Sequence, residues 1–149
     1  MSIEKVLSET SNLILDTSVL IGYFIEEQLS IVTLLDKYIF NKNSSITLYG
    51  HNLLKTELYY IICRKKGSNE AKDILIKIEN VTNIISESWL FEKAGQIKCK
   101  YPIALSDCFS ISLGIFQDCP IFFLKEKELS EEIINKINEE FKTKIYAVS

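Results

Sequence analysis

The chain has 149 residues, of which 47% are hydrophobic, with only 2 prolines and 5 glycines. This length fits one domain, and the composition excludes a disordered or low-complexity protein. The formal net charge of −3, from 20 acidic and 17 basic residues, excludes a wholly basic nucleic-acid-binding surface but allows a local basic patch.

The chain reads as one domain over residues 1–149, with residues 1–11 as an N-terminal extension. These first residues include Glu4 and Lys5 and lack the long apolar core of a secretory signal. No uninterrupted apolar run approaches the roughly 20 residues of a membrane span. The four cysteines form no Cys-x-x-Cys pair and there is one histidine, so we expect reduced thiols, no structural zinc and a cytoplasmic protein.

Hydrophobic periodicity predicts short apolar strands that alternate with helices along the chain. The predicted strands are residues 13–16, 46–49, 81–85, 121–124 and 144–148. The predicted helices are residues 19–26, 29–40, 52–65, 69–79, 87–100, 107–117 and 130–141. This alternation is typical of an α/β protein, here a three-layer α/β/α sandwich with a central parallel sheet.

Local signals predict where some of these elements begin, end and face the core. Gly50 should break the second strand, and Ser106 should cap the predicted helix over residues 107–117. In the helix over residues 87–100, the spacing places four side chains inward. These are Leu90, Phe91, Ala94 and Ile97.

The first predicted strand ends directly at a carboxylate, Asp16. An ionised aspartate at the end of a buried strand loses water and needs a partner, yet no Lys or Arg occurs between Lys5 and Lys37. Ligands of parallel α/β sheets gather outside the carboxyl ends of the strands. Asp16 therefore indicates either a functional site or a helix N-cap satisfied by backbone N–H groups.

Two further acids, Glu57 and Asp107, lie in apolar surroundings with no cation three or four residues away. Each has a structural alternative, because Glu57 could reach water and Asp107 could stabilise a helix N-terminus. A parallel sheet can nevertheless bring both acids to the same carboxyl-end cleft as Asp16.

Three carboxylates in one pocket repel each other unless a divalent cation lies among them. Oxygen ligands without His or Cys favour Mg²⁺ or Mn²⁺. These ions activate water and stabilise phosphate charge, so the expected reaction is hydrolysis of a phosphodiester or phosphate.

Three short basic clusters are candidates for a local nucleic-acid contact, although such clusters are also typical of solvated helix ends. They are Arg64-Lys65-Lys66, Lys98 with Lys100, and Lys125 with Lys127. The only histidine, His51, precedes a predicted helix and is interpreted as a turn or capping residue.

Four motifs, taken in order, resemble the PIN domain, the nuclease module of VapC-type toxins and of several RNA-processing factors. They are Leu-Ile-Leu-Asp16-Thr-Ser-Val-Leu-Ile, Leu-Leu-Lys-Thr-Glu57-Leu, Tyr-Pro-Ile-Ala-Leu-Ser-Asp107-Cys-Phe-Ser-Ile-Ser, and Pro-Ile-Phe-Phe-Leu followed by acidic residues. The resemblance spans nearly the whole chain, from about residue 12 to residue 148.

This resemblance implies a Mg²⁺- or Mn²⁺-dependent endoribonuclease that hydrolyses RNA. Asp16 and Asp107 would be metal ligands, Glu57 a ligand or catalytic helper, and Ser18 a support for Asp16. The resemblance also implies a toxin restrained by an antitoxin protein, and a homodimer.

The family's fourth acid usually follows the strand in a Thr-x-Asp pattern, and here Glu126 occupies the matching place. Leu124 replaces the hydroxyl residue, and Lys125 and Lys127 flank the acid. Either the lysines draw Glu126 away from the metal, or they hold the RNA backbone at the rim of the cleft, as Arg64 could.

Two other functions remain open at this point. A PIN-like fold with weakened catalysis could serve as an RNA- or protein-binding module, because the fourth acidic position is altered. A haloacid-dehalogenase-like phosphatase also begins with a strand that ends in Asp, but it needs a second Asp where this chain has Ser18.

Overall fold

Five parallel strands form one sheet in the computed structural model, which describes residues 2–125 and 129–149. The strands are β1 (Asn12–Leu15), β2 (Thr47–His51), β3 (Thr82–Ile85), β4 (Ile121–Leu124) and β5 (Ile145–Val148). Their order across the sheet is β3-β2-β1-β4-β5, with every neighbouring pair parallel. The predicted central parallel sheet is confirmed.

Helices connect the strands, as parallel pairing requires. They are α1 (Ile3–Glu9), α2 (Thr17–Phe24), α3 (Leu29–Tyr38), α4 (Asn52–Lys66), α5 (Ser68–Val81), α6 (Phe91–Lys100), α7 (Leu105–Gln117) and α8 (Glu131–Phe141). A single 3₁₀ turn, Glu87–Trp89, precedes α6.

The helices cover both faces of the sheet, because alternate residues of each strand point to opposite faces. Leu13 and Leu15 of β1 pack in a cluster with buried side chains of α1 to α5. Ile14, between them, packs in a second cluster with buried side chains of α6, α7 and α8. The result is the predicted three-layer α/β/α sandwich.

The N-terminal residues form a helix that sequence periodicity did not predict. Ser2 caps α1 by accepting a hydrogen bond from the Lys5 N–H at 3.2 Å. Val6 and Leu7 are buried in the core cluster of α2 to α5. These two side chains make α1 part of the hydrophobic core, whereas the sequence indicated only an extension.

The segment before α6 differs from its prediction. The predicted single helix over residues 87–100 is divided, because the 3₁₀ turn ends at Trp89 and α6 begins at Phe91 after the capping residue Leu90. Leu90, Ala94 and Ile97 are buried as expected, but Phe91 is 62% exposed and the inward placement predicted for it is wrong.

Two local signals were also misread. Gly50 lies within β2 and does not end it. The space around it is small, because a Cβ there would lie 3.0 Å from Leu54 Cδ2 and 3.1 Å from Thr82 Cγ2. Ser106 is not a cap, because α7 begins at Leu105 with Ala104 at the N-cap position. The Ser106 hydroxyl instead makes a tertiary contact in the candidate site.

A close approach between α7 and β4 depends on Gly114. A Cβ built there would lie 2.2 Å from Ile121 Cδ1 and 2.5 Å from Ile121 Cγ1, and Ile121 is fully buried. Gly114→Ala should therefore overpack the core by up to about 3 kcal/mol, offset by about 1 kcal/mol of helix propensity. We expect the free energy of unfolding, measured by urea denaturation, to fall by about 2 kcal/mol.

Gly95 in α6 provides the matched control, because a Cβ at that position meets no atom within 4 Å. Gly95→Ala should raise the free energy of unfolding by about 0.5–1 kcal/mol. Equal effects of the two substitutions would contradict the close contact between α7 and β4.

Among the described residues, no single helix has the length and apolar composition of a membrane span. The helices α2 and α3 reach that length and apolar composition only when they are taken together, and they are bent at 101° to each other.

Candidate functional site

A cavity of about 300 Å³ lies at the carboxyl edge of the sheet, beside the ends of β1 and β4. The chain passes from β1 to β2 on one side and later places β4 on the other side of β1, so this edge is the topological switch point. Ligands of open α/β sheets bind at such points. Asp16, Glu57 and Asp107 all line this cavity.

Asp16 directly follows β1 and is also the N-cap of α2. Its Oδ2 accepts hydrogen bonds from the Ser18 N–H at 3.2 Å and from the Ser18 hydroxyl at 3.0 Å. The side chain is 3% exposed, yet it borders the cavity. Asp16 is therefore the predicted helix cap and also a residue of the cavity wall.

Ser18 joins Asp16 to the neighbouring strand. Its hydroxyl oxygen accepts a hydrogen bond from the Leu124 N–H at 3.1 Å, so its proton is directed to Asp16. Through this one side chain the end of β4 and the end of β1 are held together. The contact gives a structural basis for the predicted support of Asp16 by Ser18.

Glu57 is linked to the third acid through Ser106. The Ser106 hydroxyl on α7 donates to Glu57 Oε2 on α4 at 2.7 Å. Asp107 follows Ser106 in the first turn of α7, where the helix dipole favours negative charge, and it is 6% exposed. Sequence reasoning assigned Ser106 only to a helix terminus and missed this contact between α4 and α7.

The hydroxyl of Ser110 and the imidazole of His51 lie on the buried side of Asp16. Ser110 Oγ is 3.3 Å from Asp16 Oδ1 and 3.0 Å from His51 Nε2. His51 is the N-cap of α4, because its Nδ1 accepts a hydrogen bond from the Leu54 N–H at 3.0 Å. The predicted capping role of His51 is confirmed, whereas no sequence pattern indicated the contact with Ser110.

The basic C-terminal end of α4 borders the cavity through Lys65. Lys65 lines the cavity together with Glu26, and their charged groups are 3.8 Å apart. Arg64, which is predicted to bind RNA, does not line the cavity, and its guanidinium carbon lies 4.9 Å from the centre of the Tyr60 ring.

The segment after β4 is only partly described. Lys125 is exposed and lines a separate depression with Leu129 and Glu131. Glu126 and Lys127, predicted as the fourth acid and an RNA contact, lie outside the described residues.

The donors lining the cavity suit a hard divalent cation. Across residues 2–125 and 129–149, no group of three or more His, Cys, Asp or Glu side chains is arranged to hold a metal ion by itself. Mg²⁺ in proteins, however, is commonly held by one or two carboxylates, with waters and substrate phosphates as the other ligands. Asp16 and Asp107 are two carboxylates on the cavity wall.

The hydroxyl of Thr17 is a further polar group at the cavity wall. Its hydroxyl oxygen is buried and has no hydrogen-bond partner within the described part of the chain. Thr17 lines the same cavity, next to Asp16. A buried polar atom of this kind is usually satisfied by water or by an ion.

Residues 13–132 match the family model of the PIN domain. The chain belongs to the PIN domain family. The matched range includes Asp16, Glu57 and Asp107. This membership excludes the dehalogenase-like alternative. No curated protein has a sequence that matches this PIN domain.

The fold of this PIN domain is similar to those of solved toxin structures. One is the crystal structure of VapBC2 from Rickettsia felis bound to a promoter DNA fragment, with a TM-score of 0.65 and 14% sequence identity. The match covers 91% of this chain and 98% of that chain. Mycobacterium tuberculosis VapC20, described as a sarcin-ricin loop cleaving toxin, has a TM-score of 0.60 and 13% identity, covering 73% and 86%. A toxin-antitoxin complex from Klebsiella pneumoniae has a TM-score of 0.58 and 13% identity, covering 80% and 91%.

Proposed function

We propose that this PIN domain is a Mg²⁺- or Mn²⁺-dependent endoribonuclease that hydrolyses phosphodiester bonds of RNA. The observation that carries the proposal is that Asp16, Glu57 and Asp107 line one cavity at the switch point of the sheet. The similarity of the fold to VapC20, a sarcin-ricin loop cleaving toxin, supports the same class of reaction.

In this proposal Asp16 and Asp107 hold the cation through their carboxylate oxygens. When bound, such an ion lowers the pKa of a coordinated water and stabilises phosphate charge. Asp16 is suited to this role because Ser18 and Ser110 fix both of its oxygens. A fixed ligand does not have to lose side-chain freedom when the ion and substrate bind.

Glu57 is proposed to act on the attacking water. It is half-buried, and Ser106 holds its Oε2 at 2.7 Å, which orients the carboxylate towards the cavity that it shares with Asp107. A carboxylate in this position can accept a proton from water as general base. Its alternative role is that of a further metal ligand.

Lys65 is the basic residue best placed to bind the RNA backbone at the cavity. Its ion pair with Glu26 is solvent-exposed, with side chains 49% and 45% exposed, so the pair costs little to exchange for a phosphate. Lys125, Lys127 and Arg64 are proposed as further contacts with the RNA backbone.

A PIN-fold module that binds RNA without cutting it is the second candidate. It is favoured because no three acidic side chains of the described residues are arranged as a complete metal site. The predicted fourth acid, Glu126, lies outside those residues, and its flanking lysines would weaken its contact with a cation.

We also propose that the protein is the toxin of a toxin-antitoxin pair and forms a homodimer. Two structures with similar folds are VapBC2 and a toxin-antitoxin complex, and this likeness supports an antitoxin protein as a partner.

The proposed function is tested by incubating the purified protein with single-stranded and structured RNA in the presence of Mn²⁺, Mg²⁺ or a chelator. We expect new fragments with either ion and none with the chelator. Retention of RNA on the protein without fragments under every condition would favour the binding module. Sequencing of total RNA before and after induced expression would then identify the cut site.

Metal binding has a readout that does not depend on cleavage. Mg²⁺ or Mn²⁺ should raise the melting temperature of the wild type, because a ligand that binds only the folded state stabilises it; at 100 times the Kd the gain is about 2.7 kcal/mol. Asp107→Asn should lose most of this rise. Asp118→Asn, an exposed acid at the other end of α7, should keep it. Equal rises in all three proteins would contradict a metal site at Asp107.

A further inference from the structure

His51 lies where β2 meets α4, and its role as N-cap of α4 does not explain the contact of its second ring nitrogen. It is the last residue of β2, it is fully buried, and it is the only histidine in the sequence. Its Nδ1 is occupied as an acceptor by the Leu54 N–H. In the neutral ring one nitrogen accepts and the other carries the proton, so the proton of His51 lies on Nε2.

This tautomer gives the neighbouring hydrogen bonds a direction. His51 Nε2–H donates to Ser110 Oγ at 3.0 Å, and the Ser110 hydroxyl donates to Asp16 Oδ1 at 3.3 Å. The bonds therefore run from the backbone of α4 through His51 and Ser110 to Asp16. We call these three side chains the His51 relay.

The His51 relay is shielded from water along its whole length. His51 is 0%, Ser110 1% and Asp16 3% exposed. Burial lowers the pKa of His51 to about 4, and the charge of Glu87 opposes this shift only in part. The ring is consequently neutral at pH 7, as the direction of its hydrogen bonds requires.

We propose that His51 is a positioning residue that acts through Ser110 to fix the carboxylate of Asp16 for binding a divalent cation. This inference rests on the proposed function of the cavity. Ser18 donates to Asp16 Oδ2, and Ser110, which is held by His51, donates to Oδ1. Outer partners of metal-binding carboxylates commonly control affinity in this way.

The His51 relay also relates the three carboxylates to each other. His51 caps α4, the helix that carries Glu57, and Ser110 lies one turn after Asp107 on α7. A single buried contact between His51 and Ser110 therefore sets both helices against the end of β1, where Asp16 lies. Its loss should loosen the relative placement of all three acids.

The relay can be tested without metal by nitrogen NMR of protein labelled at histidine, because the single imidazole gives one pair of signals. At pH 7 we expect the Nε2–H tautomer. Asp16→Asn should shift the Nε2 resonance in the presence of Ser110 but not in the Ser110→Ala background. The Nδ1–H tautomer, or the same shift in both backgrounds, would overturn the proposal.

The consequence for metal binding is measured by calorimetric titration with Mg²⁺. Ser110→Ala should raise the Kd about 10-fold, as expected for an outer partner of a metal ligand. His51→Asn keeps an N-cap residue for α4 but is too short to reach Ser110, and it should raise the Kd similarly. If His51 acts through Ser110, the double variant will bind Mg²⁺ as weakly as Ser110→Ala alone.

Ser112→Ala is the matched control for these variants. Ser112 is also a buried serine of α7, 2% exposed, but its hydroxyl donates to Leu90 O at 2.8 Å, away from the cavity. Its Kd for Mg²⁺ should equal that of the wild type. An additive double variant, or equal weakening by Ser112→Ala, would reject the positioning role.

The NMR comparison and the calorimetric titration together separate this inference from the proposed function. A wild-type protein that binds no Mg²⁺ and cuts no RNA would overturn the proposed function. The NMR comparison needs neither metal nor RNA, so it still decides whether Ser110 connects His51 to Asp16.

Discussion

Asp16→Asn is expected to slow metal-dependent RNA cleavage by about 1,000-fold, equivalent to about 4 kcal/mol of transition-state stabilisation. The substitution removes the negative charge of a proposed metal ligand and leaves its size unchanged. The rate is measured under single-turnover conditions with excess protein and a labelled RNA, so that weaker RNA binding is separated from slower cleavage.

The fold should survive this substitution. Asp16 caps α2 by accepting from the Ser18 N–H, and Asn is an equally good N-cap residue. Asp118→Asn is the control, because Asp118 is exposed and has a left-handed conformation (φ 49°) that Asn accommodates. Cleavage by Asp16→Asn at the wild-type rate would show that another part of the protein, or a contaminant, cuts the RNA.

Acidification from pH 7 to pH 4 is expected to remove about 3 kcal/mol of stability through His51 alone. Burial lowers the pKa of this histidine from its ordinary value of 6.5 to about 4 in the folded protein, against a smaller opposing effect of Glu87. Between these two values the unfolded chain binds a proton that the folded protein does not. The stabilisation is therefore complete above pH 6.5 and lost as the pH falls towards 4.

The comparison with His51→Asn isolates this effect from the titration of carboxylates. Both proteins keep a capping residue before α4, but only the wild type can bind the extra proton on unfolding. Urea denaturation at intervals from pH 7.5 to pH 4 should show the wild type losing about 3 kcal/mol more than the variant. Parallel pH profiles would mean that His51 titrates normally in the folded protein.

The elements of the fold were largely predictable because each carries a local signal. The apolar run before Asp16 and the other short apolar strands are patterns of adjacent residues. The N-terminal helix was missed because Val6 and Leu7 are its only buried residues, and two apolar positions are too few to define a period. Phe91 was misplaced because the 3₁₀ turn before α6 changes the angular register of the helix.

The candidate site was predictable in part, through acids without nearby cations. Asp16, Glu57 and Asp107 stood out for this reason, and all three line the cavity. Ser106 and His51 gave no such signal, because each precedes or begins a predicted helix and is interpreted as a cap, and Ser110 is an uncharged residue within a predicted helix. Lys65 could not be distinguished from Arg64, since both belong to one basic helix end.

The sequence by itself determined the order of strands and helices along the chain, the family resemblance and the acids that have no cation nearby in the sequence, because these depend on residue types and on spacings along the chain. Only the tertiary structure decided which hydroxyl meets which carboxylate. Ser106 and Glu57 are 49 positions apart, and Ser110 and Asp16 are 94 apart. Such contacts depend on how parallel strands and their helices pack, and that packing sets directions and distances of side chains that no local pattern encodes.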